Sequence, residues 1–317
     1  MDVVTLGETM VLFTPASAGY MRYATDFSAR VGGAESNVAI GLARLGHQAG
    51  WISRVGDDEF GRKILSFIRG EGVDVRGTWF DSAAPTGLYF KEMLTEDELR
   101  VQYYRKGSAA SQMTPSDLNE DYLKQAKYLH ITGITPALSE SCRETVMRAI
   151  EMAKENGVTV VFDPNLRKKL WSEDQARQVL LELASKADIV LPGVNEGKFL
   201  FGDDEPDSMA KRFYDHGASA VVLKLGADGA YFCSKSESGY VSAFPVNRVV
   251  DPVGAGDGFA AGFLSGLLDD LSLEKAVERA AAVGALVTMV KGDVEGLPDR
   301  QRLESFVHGK NSEDVKR

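Results

Sequence analysis

Short apolar runs and stretches of three-to-four-residue periodicity take turns along most of this chain. Residues 128–132, 158–163, 189–192, 220–225, 230–233 and 240–243 read as strands. Between them, 139–156, 173–186 and 209–216 carry helical spacing, as does 273–290 further on. Ser139 is placed to cap its helix and Gly157 to stop it. Earlier, 3–6, 11–13 and 51–55 read as strands, and 20–31 alternates loosely enough to hold another. Ala39, Leu42, Ala43 and Leu45 form one helical face that Gly46 ends. The runs 86–94 and 99–105, joined by the polar stretch 95–98, read as a hairpin. Val- and Ile-rich strands alternating with helices imply a mainly parallel sheet covered on both faces. In such sheets ligands collect at the C-terminal ends of the strands.

The stretch 249–262, VVDPVGAGDGFAAG, is where that pattern turns into chemistry. The apolar run ending at Val250 reads as a strand. Gly254-Ala255-Gly256 reads as a turn, and from Asp257 the positions Phe259, Phe263, Leu264, Leu267 and Leu268 read as a helix. The first N–H groups of a helix lack partners and carry the positive end of its dipole, so an anion fits there. Asp257 in that first turn is either a dipole-matched cap or a base. A carboxylate set beside a held phosphate can accept the proton of an attacking hydroxyl.

The order DPVGAGD at 251–257 resembles the C-terminal signature of the ribokinase/PfkB carbohydrate kinases, with Pro252 where Thr is common. GGAESNVAIGLARLG at 32–46 resembles that family's N-terminal signature. The family's D-x-N-x-R form is matched by Asp163-Pro164-Asn165-Leu166-Arg167. Its L-G-x-x-G turn is matched by Leu225-Gly226-Ala227-Asp228-Gly229, and its P-N-x-x-E form by 192–196, with Gly193 replacing Asn. The resemblance implies a ribokinase-like three-layer α/β/α sandwich with a mainly parallel central sheet and a small β-sheet lid. Residues 1–8, 31–85 and 108–310 would form the main domain, and 9–30 and 86–107 the lid. It implies an anion hole at Gly254, Ala255 and Gly256, with Asp257 as base. It places Gly33, Ala34 and Asn37 on sugar hydroxyls, and Asn165, Glu196, Leu225, Gly226, Asp228 and Gly229 near ATP. Mg²⁺ would accompany the phosphates, with Glu196 organising water and magnesium. Asp251, with the carbonyl of Val253, would serve a monovalent-cation loop, K⁺ being the ion expected. Lids of this kind pair between subunits, so a homo-oligomer is expected.

Composition narrows the partners. The 317 residues carry a formal net charge of −10, which argues against nucleic acid. At 44% hydrophobic and 26% charged, the chain is ordinary for a soluble protein. Cys142 and Cys233 are two thiols far apart, which suits a reducing cytoplasm. The N-terminus has no basic secretory start, and no apolar run approaches the ~20 residues that span a bilayer. The tail from Lys310 is polar and expected to fray.

Two arginines point to the acceptor. Tyr103-Tyr104-Arg105 on the lid and Arg167 on the 163–167 loop, with Tyr89, suit a substrate carboxylate, which a guanidinium binds through paired hydrogen bonds. The arrangement resembles the 2-keto-3-deoxygluconate kinases, so a small sugar acid is expected, phosphorylated on its 6-hydroxyl. Fructose is the neutral alternative. Other classes fare worse. A P-loop on 56–63 lacks Gly-Lys-Ser/Thr, since Gly61-Arg62-Lys63 stands there. A dinucleotide-binding G-x-G-x-x-G fails at Phe259. A non-catalytic sugar sensor is expected to have lost the base or the anion hole, and both are present.

Overall fold

A computed structural model describes residues 1–94, 98–202 and 205–309. The strands are β1 (Val3–Leu6), β2 (Met10–Pro15), β3 (Phe27–Gly32), β4 (Ala49–Gly56), β5 (Asp74–Asp81), β6 (Leu88–Met93), β7 (Leu99–Tyr104), β8 (Tyr128–Thr132), β9 (Thr159–Asp163), β10 (Ile189–Val190), β11 (Ala220–Lys224), β12 (Ala230–Ser234) and β13 (Ser238–Val241). The helices are α1 (Ala34–Arg44), α2 (Glu59–Gly70), α3 (Glu120–Leu123), α4 (Glu140–Glu155), α5 (Glu173–Lys186), α6 (Val194–Phe201), α7 (Pro206–Asp215), α8 (Ala255–Leu268), α9 (Leu273–Thr288) and α10 (Arg300–Val307).

Nine strands form one sheet in the order β13-β12-β11-β10-β9-β8-β1-β4-β5. It is parallel from β5 through to β11, and β12 and β13 add an antiparallel edge. The pleat divides its side chains between two cores. Val3 and Val161 face the core with Val38, Phe263 and Val277, from α1, α8 and α9. Their neighbours Val4, Leu6, Val160 and Phe162 face the one with Val146, Leu180 and Phe213, from α4, α5 and α7. The two-sided burial is why these strands read as continuous apolar runs. A second sheet, in the order β3-β2-β6-β7, is built from the hairpin β6/β7 and from β2 and β3.

Several expected elements are relocated. The run ending at Val250 is not a strand. Its backbone bonds to the end of α9 instead, with Val250 N–H and Asp251 N–H both donating to the Thr288 carbonyl (2.8 and 3.2 Å). Val249 and Val250 stand 53% and 51% exposed, so the apolar pair fills no core. Helix α8 begins at Ala255, two residues before the expected start, which puts Asp257 well inside its first turn. Residues 20–31 hold a 3₁₀ turn at Met21–Tyr23 before β3 starts at Phe27. Where a P-loop was excluded, Asp58 caps α2 by accepting from Gly61 N–H at 2.8 Å. The hairpin turn at 95–97 and the tail from 310 lie outside the described residues.

Helix α8 is pressed hard against α9. Side chains at Gly258, Gly262 and Gly266 would run into Val287, Ala280 and Ala276. This row of glycines at every fourth position lets the helices approach closely and fixes where the N-terminus of α8 points.

Candidate active site

The C-terminal ends of β1, β8, β9 and β11, the N-termini of α1 and α8 and the inner face of the small sheet enclose one cavity of about 480 Å³. Twelve of the residues expected at a site line it: Gly33, Ala34, Asn37, Tyr89, Tyr103, Arg105, Asn165, Arg167, Glu196, Gly254, Gly256 and Asp257. Ala255, Asp251, Leu225, Gly226, Asp228 and Gly229 are not on its wall. The 225–229 segment forms the tight link between β11 and β12, with Leu225 N–H donating to the Gly229 carbonyl at 2.8 Å. It flanks the cavity through its neighbour Lys224, which does line it.

The turn before α8 requires Gly254. It sits at φ +81°, and a Cβ there would come within 2.5 Å of the Asp293 carbonyl oxygen. Ala255 N–H closes this turn on the Pro252 carbonyl at 3.3 Å. Among the described residues the Gly254, Gly256 and Asp257 N–H groups have no acceptor, so of the expected amides only that of Ala255 is closed to an anion. The Gly256 surface is clear as well, since a Cβ built there would find only Lys224 Nζ, at 3.8 Å.

Asp257 is held by one side chain. Asn37 Nδ2, from α1, donates to its Oδ2 at 2.7 Å, while Asn37 Oδ1 faces Gly33 N–H at 3.4 Å. Desolvation in the cavity floor raises the Asp257 carboxyl from 3.8 to about 7. Asn37 lowers it, Asp163 and Asp293 push it up, and Arg167 pulls it down. A carboxylate that titrates near neutrality is suited to proton transfer.

Lys224 was not singled out from the sequence, although a Lys closing an apolar strand just before a Gly turn is a readable signal. Its Nζ meets Asp163 Oδ2 at 2.6 Å, and its pKa is raised despite burial, which opposes the charge, because Asp163 and Glu196 stabilise it. Glu196 spends both oxygens on backbone, accepting Gly193 N–H at 2.7 Å and Leu166 N–H at 3.4 Å. Asn165 carries the unusual φ of +36°, bent back so that its N–H donates to Asp163 Oδ1 at 3.1 Å.

The two arginines differ. Arg105 is buried, its Nε donating to Glu8 Oε2 at 2.7 Å and its Nη2 ion-paired with the same oxygen. Ser108 Oγ donates to the other oxygen of Glu8 at 2.5 Å. The Arg105 guanidinium lies 5.5 Å from the Tyr103 ring, which stacks on Tyr89 at 5.7 Å. Arg167 is exposed on the cavity wall, and its guanidinium has no hydrogen bond or ion pair with any described residue. Tyr89 OH is already engaged, donating to Asp293 Oδ2 at 2.6 Å. Glu8, Glu35, Lys91 and Asp293 also line the cavity and were not foreseen. Burial raises the carboxyl of Glu35, which accepts from Thr132 and Thr135 Oγ1 at 2.6 and 3.0 Å.

The model of the pfkB family carbohydrate kinases matches residues 1–300. The chain belongs to that family. It is similar to a 2-dehydro-3-deoxygluconokinase of Bacillus subtilis, at 44% identity over 97% of this chain and 95% of the relative. Fructokinase-1 of Oryza sativa is 36% identical over 98% of this chain and 89% of its own length. Among solved structures, a ribokinase II-type protein of Escherichia coli in complex with ATP and Mg²⁺ aligns with a TM-score of 0.89. It is 28% identical, over 97% of this chain and 99% of that one. As a pfkB kinase the chain is a phosphotransferase with an alcohol acceptor. No helix among the described residues is long and apolar enough to cross a membrane.

Proposed function

We propose that this pfkB kinase transfers the γ-phosphoryl group of ATP to the 6-hydroxyl of 2-keto-3-deoxy-D-gluconate. The observation that carries the acceptor is Arg167, an unpartnered guanidinium on the wall of the cavity whose floor holds Asp257. A free guanidinium offers two parallel N–H donors to a carboxylate, and a neutral hexose gives it nothing to neutralise. The B. subtilis relative's name points the same way.

In this reading Asn37 orients the Asp257 carboxylate, which takes the proton of the acceptor hydroxyl as that oxygen attacks phosphorus. The Gly256 and Asp257 amides meet the charge on the transferring group. Lys224, beside Gly256, faces the same charge from the β11 side. Gly33, Ala34 and Asn37 position sugar hydroxyls, and Tyr89 and Tyr103 cover the ring or chain. Asp163 and Glu196 both line the cavity, but their oxygens already accept from Lys224 and from backbone N–H groups, so a hard cation would be held chiefly by the phosphates and its own water. Mg²⁺ bound there would screen the phosphate charge, with Glu196 ordering its water. ATP would lie along the 225–229 turn, past Asn165. Tyr104 and Tyr23, 55% and 78% exposed around the small sheet, support pairing of two chains through their lids.

A second reading, fructokinase, is favoured by the engagement of Arg105 with Glu8, which leaves one free arginine instead of two. ADP release with Mg·ATP separates the two readings, using 2-keto-3-deoxygluconate and fructose on wild type and Arg167→Ala. A preference for the acid that disappears in the mutant supports the sugar-acid kinase. Equal or better turnover of fructose, unchanged by the mutation, makes the protein a fructokinase.

A further inference from the structure

Lys91 lies on β6, two residues beyond Tyr89, so both side chains leave the same face of the strand. That face is turned inward, and Lys91 is only 7% exposed. A lysine is seldom buried without acids to meet it. Lys91 Nζ donates to Asp293 Oδ1 at 2.8 Å and stands 3.7 Å from Asp251 Oδ2. Tyr89 OH takes the other oxygen of Asp293.

Both acids adjoin the turn that makes the anion hole, Asp251 just before it in the chain and Asp293 packed against it from beyond α9. Asp251 Oδ1 accepts Val253 N–H at 3.0 Å, immediately before Gly254, and its Oδ2 faces Gly292 N–H at 3.4 Å. The carbonyl of Asp293 is the atom against which Gly254 is packed. Asp251 is also the residue on which a potassium loop was expected. The arrangement does not suit a free ion there, because a tethered ammonium already faces this carboxylate and its other contacts are backbone N–H donors.

We infer that the Lys91 ammonium is this chain's built-in monovalent cation: it replaces potassium at Asp251, and from the small sheet it positions the Gly254 turn that holds the phosphoryl-binding amides. Lys91 is a positioning residue, since it acts on the reacting group through Asp251, Asp293 and Gly254. Two consequences follow. Turnover does not require potassium. The anion hole is complete only when the strand bearing Tyr89, which also lines the sugar pocket, is seated.

The inference rests on the kinase reading but not on the choice of acceptor. Initial rates of ADP release would be measured in KCl and in choline chloride at equal ionic strength, on whichever acceptor is turned over. Melting temperatures, which need no acceptor, would be recorded in the same two salts. For wild type, rates in the two salts agree to within about twofold and the melting temperatures coincide. For Lys91→Met in choline chloride, kcat falls by roughly tenfold or more with little change in KM. KCl or NH₄Cl restores much of the loss and raises the melting temperature, while Lys91→Arg stays insensitive to salt identity. Potassium activation of wild type by roughly tenfold or more would overturn the inference without any mutant. So would a folded Lys91→Met that is fully active in choline chloride, or one that no monovalent cation improves. If Lys91→Met does not fold, the wild-type comparison decides. Failure of the sugar-acid assignment would show as a change of preferred acceptor and leave the salt comparison standing.

Discussion

The floor of the cavity and the small sheet above it treat their polar side chains in opposite ways. On the sheet, Tyr89, Lys91 and Arg105 are each bound to an acid outside it: Asp293, Asp293 with Asp251, and Glu8. On the floor, the Gly256 and Asp257 amides and Arg167 are unpartnered, and Asp257 has only Asn37. Groups whose hydrogen-bonding capacity is spent within the protein hold a shape, and groups left open are available for substrate. In the proposed reading the floor supplies the chemistry, and the sheet contributes a cover clamped to it at three points.

The sharpest break in that contrast is Asp257→Asn. Removing a general base is expected to lower kcat by ~10²–10⁴-fold, while ATP affinity, read by calorimetry, stays near wild type. Turnover like wild type in this variant would end the assignment of Asp257 as base. In the wild type, a carboxyl at about 7 predicts a kcat/KM that rises with pH through neutrality and then levels. A profile flat from pH 5 to 8 would contradict it.

Next in size is a break on the clamp. Glu8→Gln leaves the Arg105 guanidinium buried without its counter-charge, a loss of about 3 kcal/mol. The expected readout is a melting temperature lower by roughly 4–6 °C, with kcat reduced far less than in Asp257→Asn. The reverse pattern, an intact fold with lost turnover, would move Arg105 from clamp to substrate ligand. Smaller still is Arg167→Ala on the floor. Loss of charge-assisted hydrogen bonds to a substrate carboxylate should reduce kcat/KM for the sugar acid by roughly 10–100-fold and leave the melting temperature alone. If instead the melting temperature drops with kcat/KM intact, Arg167 belongs with the structural set.

The same contrast explains what could be read from the sequence. The floor is local. Gly254, Gly256, Asp257, Asn37 and Arg167 lie in short motifs whose turns and helix starts make their geometry nearly by themselves. The clamp is a matter of distant pairs. Lys91 with Asp293 and Glu8 with Arg105 are separated by 202 and 97 positions, and no periodicity links them. Tyr89 and Arg105 were visible as candidates, but their engagement with acids was not, because Glu8 and Asp293 lie in loops that only the tertiary packing brings within reach. The strand expected before Gly254 failed for a related reason. Two adjacent valines look buried to any pattern, yet here the backbone is claimed by the end of α9 and the side chains face out.

The smallest effect expected is a gain. Asp257 binds its proton more tightly folded than unfolded, since burial lifts its carboxyl from 3.8 to about 7. Between those values the native state holds more protons than the unfolded chain, so stability falls as pH rises, and above about 7 the full penalty of a buried charge is present. Asparagine at 257 keeps the shape, can still face Asn37 and carries no charge. Asp257→Asn should therefore melt about 2–5 °C above wild type at pH 8, and the difference should shrink toward zero near pH 4, where the wild-type carboxyl is protonated in the native state. No corresponding gain is expected for Glu8→Gln at any pH, because that carboxylate is matched by Arg105. A variant that loses turnover while gaining stability only at high pH marks a carboxylate held in place for catalysis against its own folding preference. Equal melting temperatures of Asp257→Asn and wild type across the whole range would mean that Asp257 is solvated, and would remove the physical basis for treating it as a base tuned to neutrality.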